Sequence, residues 1–151
     1  MGQLTFFAAD LTCPRCDRAS KADASTGMSN HLSMKFGGEV LRVGDRRDFR
    51  DGDFGETFHL LREPASNEST HILHDWVCPC CGQSNWAEVI FVNGVLETIA
   101  VVPFNRESVA RAHYLSERIY EYYESVTGER PPTYDGLQLV ERLLGTMDDE
   151  I

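Results

Sequence analysis

The sequence predicts an α+β fold: an antiparallel β-sheet with a four-cysteine metal site at one end and two C-terminal helices packed on it. Three observations lead there. Two Cys-Pro-x-Cys motifs, Cys13-Pro14-Arg15-Cys16 and Cys78-Pro79-Cys80-Cys81, can converge on a single ion. The apolar runs "WAEVIFV" and "VLETIAVV" are joined by Asn93-Gly94, a dipeptide suited to the two-residue type I′ hairpin turn. After Asn105 the apolar spacing changes from alternation to the helical period.

Taken in chain order, "QLTFFAA" (3–9) reads as a strand entering the first cysteine motif, and residues 17–30, polar and small, as a loop. "HLSMKF" and "EVLRV" flank Gly37-Gly38, with Leu32, Met34 and Phe36 alternating as in a half-buried hairpin strand. Residues 44–56 form a charged turn, "TFHLL" (57–61) a strand, and residues 63–69 a second loop. "THILHDWV" (70–77) is a strand running into the second cysteine motif. In the hairpin that follows, Ala87, Val89 and Phe91 alternate with Glu88, Ile90 and Val92, and Pro103 ends the sheet.

Residues 106–127 are expected to form one helix, with Asn105 as N-cap and Gly128 as C-terminal stop. Val109, Ala112, Ser116, Ile119, Tyr123 and Val126 fall on its inner face, and Glu107 and Arg111 pair on the other. Pro131-Pro132 breaks the chain, and "YDGLQLVERLL" gives a second helix stopped by Gly145. The whole chain, 1–151, reads as one zinc-stabilised domain: a β-rich part (1–104), a helical part (105–145) and a frayed tail (146–151).

The cysteines carry the chemistry. An odd number of them, five in two close clusters, does not suit a secreted disulfide framework and suits a metal. Using the same spacing twice assigns Cys13, Cys16, Cys78 and Cys81 as ligands and leaves Cys80 spare. Four soft thiolates in a tetrahedron match structural zinc. Plain buried thiols are the bland alternative. A thioredoxin-like dithiol lacks its strand–CxxC–helix context.

The two motifs resemble the knuckles of zinc-ribbon and rubredoxin-type proteins. That resemblance implies a ribbon-like site at the end of a hairpin, with zinc in a structural role. Two features depart from the pattern: residues 17–77 separate the knuckles, where a compact ribbon has far fewer, and Asp17 stands where the second motif has Gly82. Both argue against a rubredoxin, and so against iron and electron transfer.

Other clusters read as ordinary surface or core. His71 and His74, three apart on a strand, face opposite sides and cannot reach one ion without a bend. A Cys80–His74 nucleophile–base pair lacks a third group. Asp48, Asp51, Asp53 and Glu56 do not have calcium-loop spacing, and Arg42, Arg46, Arg47 and Arg50 are interleaved with acids. No paired catalytic acids, phosphate-binding glycine loop or Ser-His-Asp signature occurs.

A net charge of −10, from 24 acidic against 14 basic residues, disfavours nucleic-acid binding and favours a basic partner. No apolar run is long enough to cross a membrane, and the N-terminus has no basic leader, so a cytoplasmic location is expected. The helical wheel groups Tyr114, Arg118 and Tyr122 outward, a pairing of residue types common at protein interfaces. The expectation is therefore a non-enzymatic, zinc-stabilised protein-binding module: an acidic inhibitor, immunity or adaptor protein. A zinc-ribbon accessory domain of a nucleic-acid-processing assembly is the alternative, and a metalloenzyme the third. Oligomeric state and partner identity are not encoded in these patterns.

Overall fold

The computed structural model describes residues 5–20, 29–30, 40–46, 58–65, 69–78, 80–133 and 135–149. The expected strand "HLSMKF", most of the charged turn at 44–56, with its acidic cluster, and Arg47 and Arg50 lie outside them. Ten short strands and three helices occur among the described residues. The strands are β1 (Thr5–Phe7), β2 (Leu11–Thr12), β3 (Ala19–Ser20), β4 (Ser29–Asn30), β5 (Val40–Leu41), β6 (Phe58–Leu60), β7 (Thr70–Val77), β8 (Ser84–Val92), β9 (Val95–Val102) and β10 (Tyr114–Ser116). The helices are α1 (Arg106–Arg111), α2 (Ile119–Thr127) and α3 (Gly136–Asp149). No helix among the described residues is long and apolar enough to cross a membrane.

A five-stranded sheet of order β6-β10-β7-β8-β9 is the centre of the fold. It is mixed rather than purely antiparallel, because β10 runs parallel to β7 with Tyr114 opposite Ile72. The β7–β8 ladder is unbroken from Thr70↔Phe91 to Val77↔Ser84. The β8–β9 turn has Asn93 at φ 49° and Gly94 at φ 80°, the paired positive values that a type I′ turn needs and that Asn-Gly supplies at least cost. Two smaller sheets, β4-β1-β5 and β2-β3, complete the β part.

The sheet is buried on both faces. Ile72, Trp76, Ala87, Val89, Phe91 and Tyr114 pack with Phe7, Leu11 and Leu41 from the N-terminal strands. Leu73, Trp86 and Leu115 pack instead with Ile119, Tyr123, Leu139, Val140, Leu143 and Leu144 from the helices. Alternation along β7 and β8 sends neighbouring residues to opposite layers, which is why both faces of these strands read as apolar.

The largest correction concerns the expected single helix over 106–127. Its caps are where the sequence places them: Asn105 accepts from the Ser108 backbone N–H at 2.9 Å, and Gly128 takes φ 72°. Between them the helix stops at Arg111, and β10 is inserted before α2. Ala112, His113, Tyr114, Leu115 and Ser116 are all buried. Five consecutive buried positions cannot be met by a helix with one inner face, but a central strand buries both sides. The ladders to β6 and β7 also occupy backbone groups that would otherwise be orphaned. Tyr114 is consequently 4% exposed and not on an outward face.

The last helix also runs further than expected, through Gly145 to Asp149. A Cβ at Gly145 would meet nothing within 4 Å, whereas one at buried Gly136 would lie 2.7 Å from Cγ and Cδ2 of the His59 ring. Gly145→Ala should therefore stabilise by about 0.5–1 kcal/mol through helix propensity alone. Gly136→Ala should destabilise by about 1–3 kcal/mol, because the ring contact outweighs the smaller propensity gain at a helix's first residue. Urea midpoints of the two variants moving in the same direction would contradict this packing.

Asp75 is the other constraint on the layers. Its carboxylate accepts from Ser116 Oγ at 2.7 Å and lies 3.4 Å from His74 Nδ1 and 3.6 Å from Arg118. Burial alone would raise its pKa, but the hydrogen bond and charge of His74, the Ser116 hydroxyl and Arg118 hold it below the ordinary carboxylate range. A carboxyl depressed on folding contributes stability that is present above its unfolded pKa, about 4, and lost as pH falls through the lower folded value. The wild-type protein should thus lose more stability than Asp75→Asn between about pH 5 and pH 3. Parallel stability–pH curves for the two would show that Asp75 carries no such coupling.

Candidate metal centre

Each cysteine motif folds as the turn of a small antiparallel hairpin, the first between β2 and β3 and the second between β7 and β8. The two turns have the same backbone bonding. Asp17 N–H donates to the Cys13 carbonyl at 2.9 Å, and Gly82 N–H donates to the Cys78 carbonyl at 2.9 Å. Cys13 N–H reaches Arg18 O at 3.0 Å, as Cys78 N–H reaches Gln83 O at 3.0 Å. The residue after the second cysteine is left-handed in both: Asp17 at φ 61° and Gly82 at φ 75°. Asp is among the few residues other than Gly that visit this region routinely, so the departure at Asp17 is conformationally neutralised.

The turns bring four sulfurs together. Cys13, Cys16, Cys78 and Cys81 place their Sγ atoms within 4.8 Å of one another and can hold a metal ion. Cys13–Cys81 and Cys16–Cys78 are each 3.6 Å apart. A tetrahedron with metal–sulfur bonds of about 2.3 Å has edges of about 3.8 Å, close to those separations. Cys80, the remaining cysteine, is exposed and outside the cluster.

The sulfurs also receive hydrogen bonds in matching positions. Backbone N–H groups of Cys16 and Arg15 face Cys13, and those of Cys81 and Cys80 face Cys78. Arg18 and Gln83 supply one each to Cys16 and Cys81. Such donors favour thiolate over thiol and orient its lone pairs. Asn85 adds its side-chain N–H₂ to Cys13 Sγ at 3.7 Å and to Gln83 O at 3.2 Å. Arg15 ties the two turns directly through Gln83 Oε1 at 3.2 Å.

Without a cation, four sulfurs this close cannot all ionise. Burial opposes the Cys13 thiolate, yet the N–H groups of Cys16 and Arg15, with Cys81 and Asn85, bring its pKa down to about 6. At Cys16 the Arg18 N–H favours the thiolate, but burial and the neighbouring Cys78, Cys81 and Cys13 push the thiol up to about 12. A divalent cation at the centre removes that mutual repulsion and favours four thiolates together.

The other expected site residues lie outside the cysteine cluster, and Tyr114 is separated from the other two. Tyr114 is buried in β10, Arg118 is the N-cap residue of α2, and Tyr122 is half-buried, its ring 5.2 Å from that of Trp86 and 5.3 Å from that of Phe104. His71 and His74 take no part in the cysteine cluster. His71 Nδ1 lies 2.8 Å from Glu88 Oε1, while His74 Nδ1 lies 2.7 Å from the Asp75 carbonyl. Asn85 and Asp75 were not singled out from the sequence. A lone acid inside the apolar run "THILHDWV" was the available signal for Asp75; nothing local distinguishes Asn85.

Cys81→Ser should abolish stoichiometric metal binding, whereas Cys80→Ser should retain it; elemental analysis of proteins purified without chelator decides, and the reverse pattern would mean the other register. Because ligation displaces protons, metal should be released as pH falls, and partial unfolding should accompany release. Circular dichroism unchanged on full metal loss would contradict a structural role. Comparison of the chain with protein-family models, with curated proteins and with solved structures finds no match, so the assignment of this centre stands on its geometry.

Proposed function

We propose that the chain, 1–151, is one domain fixed by a structural zinc ion in a ribbon-like site, and that it works in the cytoplasm as a non-enzymatic protein-binding module of the inhibitor, immunity or adaptor kind. The observation carrying this reading is that all four positions around the centre are cysteine. A catalytic zinc keeps one position for water or substrate; a closed four-thiolate set leaves none. Zinc is preferred to iron because it suits a rigid S₄ tetrahedron and requires no redox function.

Protein binding is supported by charge. A net charge of −10 repels nucleic-acid phosphates and steers basic protein surfaces toward the chain. The zinc-loaded protein should therefore show no salt-dependent binding to duplex DNA or structured RNA at micromolar concentrations in fluorescence anisotropy. It should form a complex with a single purified protein, isolated from native extract and then reconstituted from pure components, with a submicromolar to micromolar Kd. Micromolar nucleic-acid binding that weakens with salt would replace this reading with that of an accessory domain in a nucleic-acid assembly.

A further inference from the structure

The Val77↔Ser84 pair is the last rung of the β7–β8 ladder before the second cysteine turn. Between this end of the sheet and α2 lies a groove of about 320 Å³, lined by Asp75, Val77, Ser84, Arg118, Glu121 and Tyr122. Among the described residues that line it, two carboxylates face one guanidinium. An anion entering it would be repelled by Asp75 and Glu121, whereas a cation adds to the existing balance.

The bonding of Asp75 is uneven. Its Oδ1 receives the Ser116 hydroxyl at 2.7 Å, but the nearest Arg118 nitrogen is 3.6 Å from Oδ2. A direct charge-assisted bond is about 2.7–2.9 Å, so Oδ2 retains capacity for a second strong donor. The Asp75 side chain is only 10% exposed, so a direct charge-assisted bond to it is less screened than at an open surface. Glu121 is exposed at the same groove, and Val77 and Tyr122 provide an apolar and an aromatic wall. Tyr122 is already packed on Trp86 and Phe104, so little ordering is needed on binding.

We propose that this groove receives an alkyl-linked cation, the side chain of an arginine or lysine on a partner protein, with its head between Asp75 and Glu121 and its stem along Val77 and Tyr122. The source of the cation rests on the protein-binding reading above; the cation chemistry of the groove does not.

The test separates the two. The metal-loaded, ¹⁵N-labelled protein is titrated with N-acetyl-arginine methylamide and N-acetyl-lysine methylamide, and in parallel with the neutral citrulline and anionic glutamate analogues. At least one cationic amide should shift the amide signals of Val77, Ser84, Glu121 and Tyr122 saturably, with a Kd of about 1 mM for a ligand of this size. The citrulline analogue should bind at least about tenfold more weakly, as one lost charge contact would cause. Glu121→Lys, at an exposed position that leaves the core intact, should weaken the cation by a similar factor with metal content unchanged. Equal binding of the neutral analogue, preference for the glutamate analogue, insensitivity to Glu121→Lys, or no saturable shift would each overturn the proposal. For a reconstituted complex, tight binding unaffected by Glu121→Lys would place the partner elsewhere and leave the groove without this role; binding of the amide without any protein partner would instead retain the groove chemistry and remove the partner reading.

Discussion

Four sulfurs from two turns, 62 and 68 residues apart along the chain in their closest pairs, meet at the end of the central sheet. Closing a segment of that length costs about 4 kcal/mol of chain entropy. A thiolate-bound structural zinc contributes on the order of 10–16 kcal/mol of apparent free energy in small peptides, enough to offset closure and still stabilise what is attached. Much is attached: Cys13 and Cys78 are themselves part of the buried layer that includes Phe7, Leu11, Trp76 and Ala87. The proposed metal is continuous with the hydrophobic core, and the N-terminal strands are held against the sheet by both.

The same sheet explains why the helical layer sits where it does. Residues of β7 alternate between the two layers, so the strand that ends in Cys78 on one side presents Leu73 and Asp75 toward the other. Just before α2, Ser116 Oγ donates to the Asp75 carboxylate and the Arg118 guanidinium lies 3.6 Å from it. The cysteine cluster at one end and the Asp75 contacts three residues before Cys78 therefore hold the same strand end from opposite faces. The groove between that end and α2 lies between these two features.

Features governed by neighbouring residues were legible in the sequence. The cysteine motifs, the Asn93-Gly94 turn, the Asn105 and Gly128 caps and the bounds of strand 70–77 each depend on a few adjacent residues and a local backbone requirement. The equivalence of Asp17 and Gly82 was not legible, because a positive φ at Asp is a permitted but not a signalled state. The strand Tyr114–Ser116 was hidden for a different reason. It lies between two capped helices whose apolar spacing continues across it, and only pairing with β6 and β7 makes the extended state better. A helix there would put Tyr114 on the surface, but the strand puts it in the core, whereas Arg118 and Tyr122 line a groove.

The proposed centre is one zinc ion ligated by sulfur alone. X-ray absorption at the metal edge of the purified protein tests it most directly. Zinc with four sulfur neighbours at about 2.3 Å, and no nitrogen or oxygen bound to it, is the expected result. A fitted nitrogen or oxygen ligand in place of one sulfur would contradict the four-cysteine assignment, and an oxygen from water would in addition leave the centre open for catalysis.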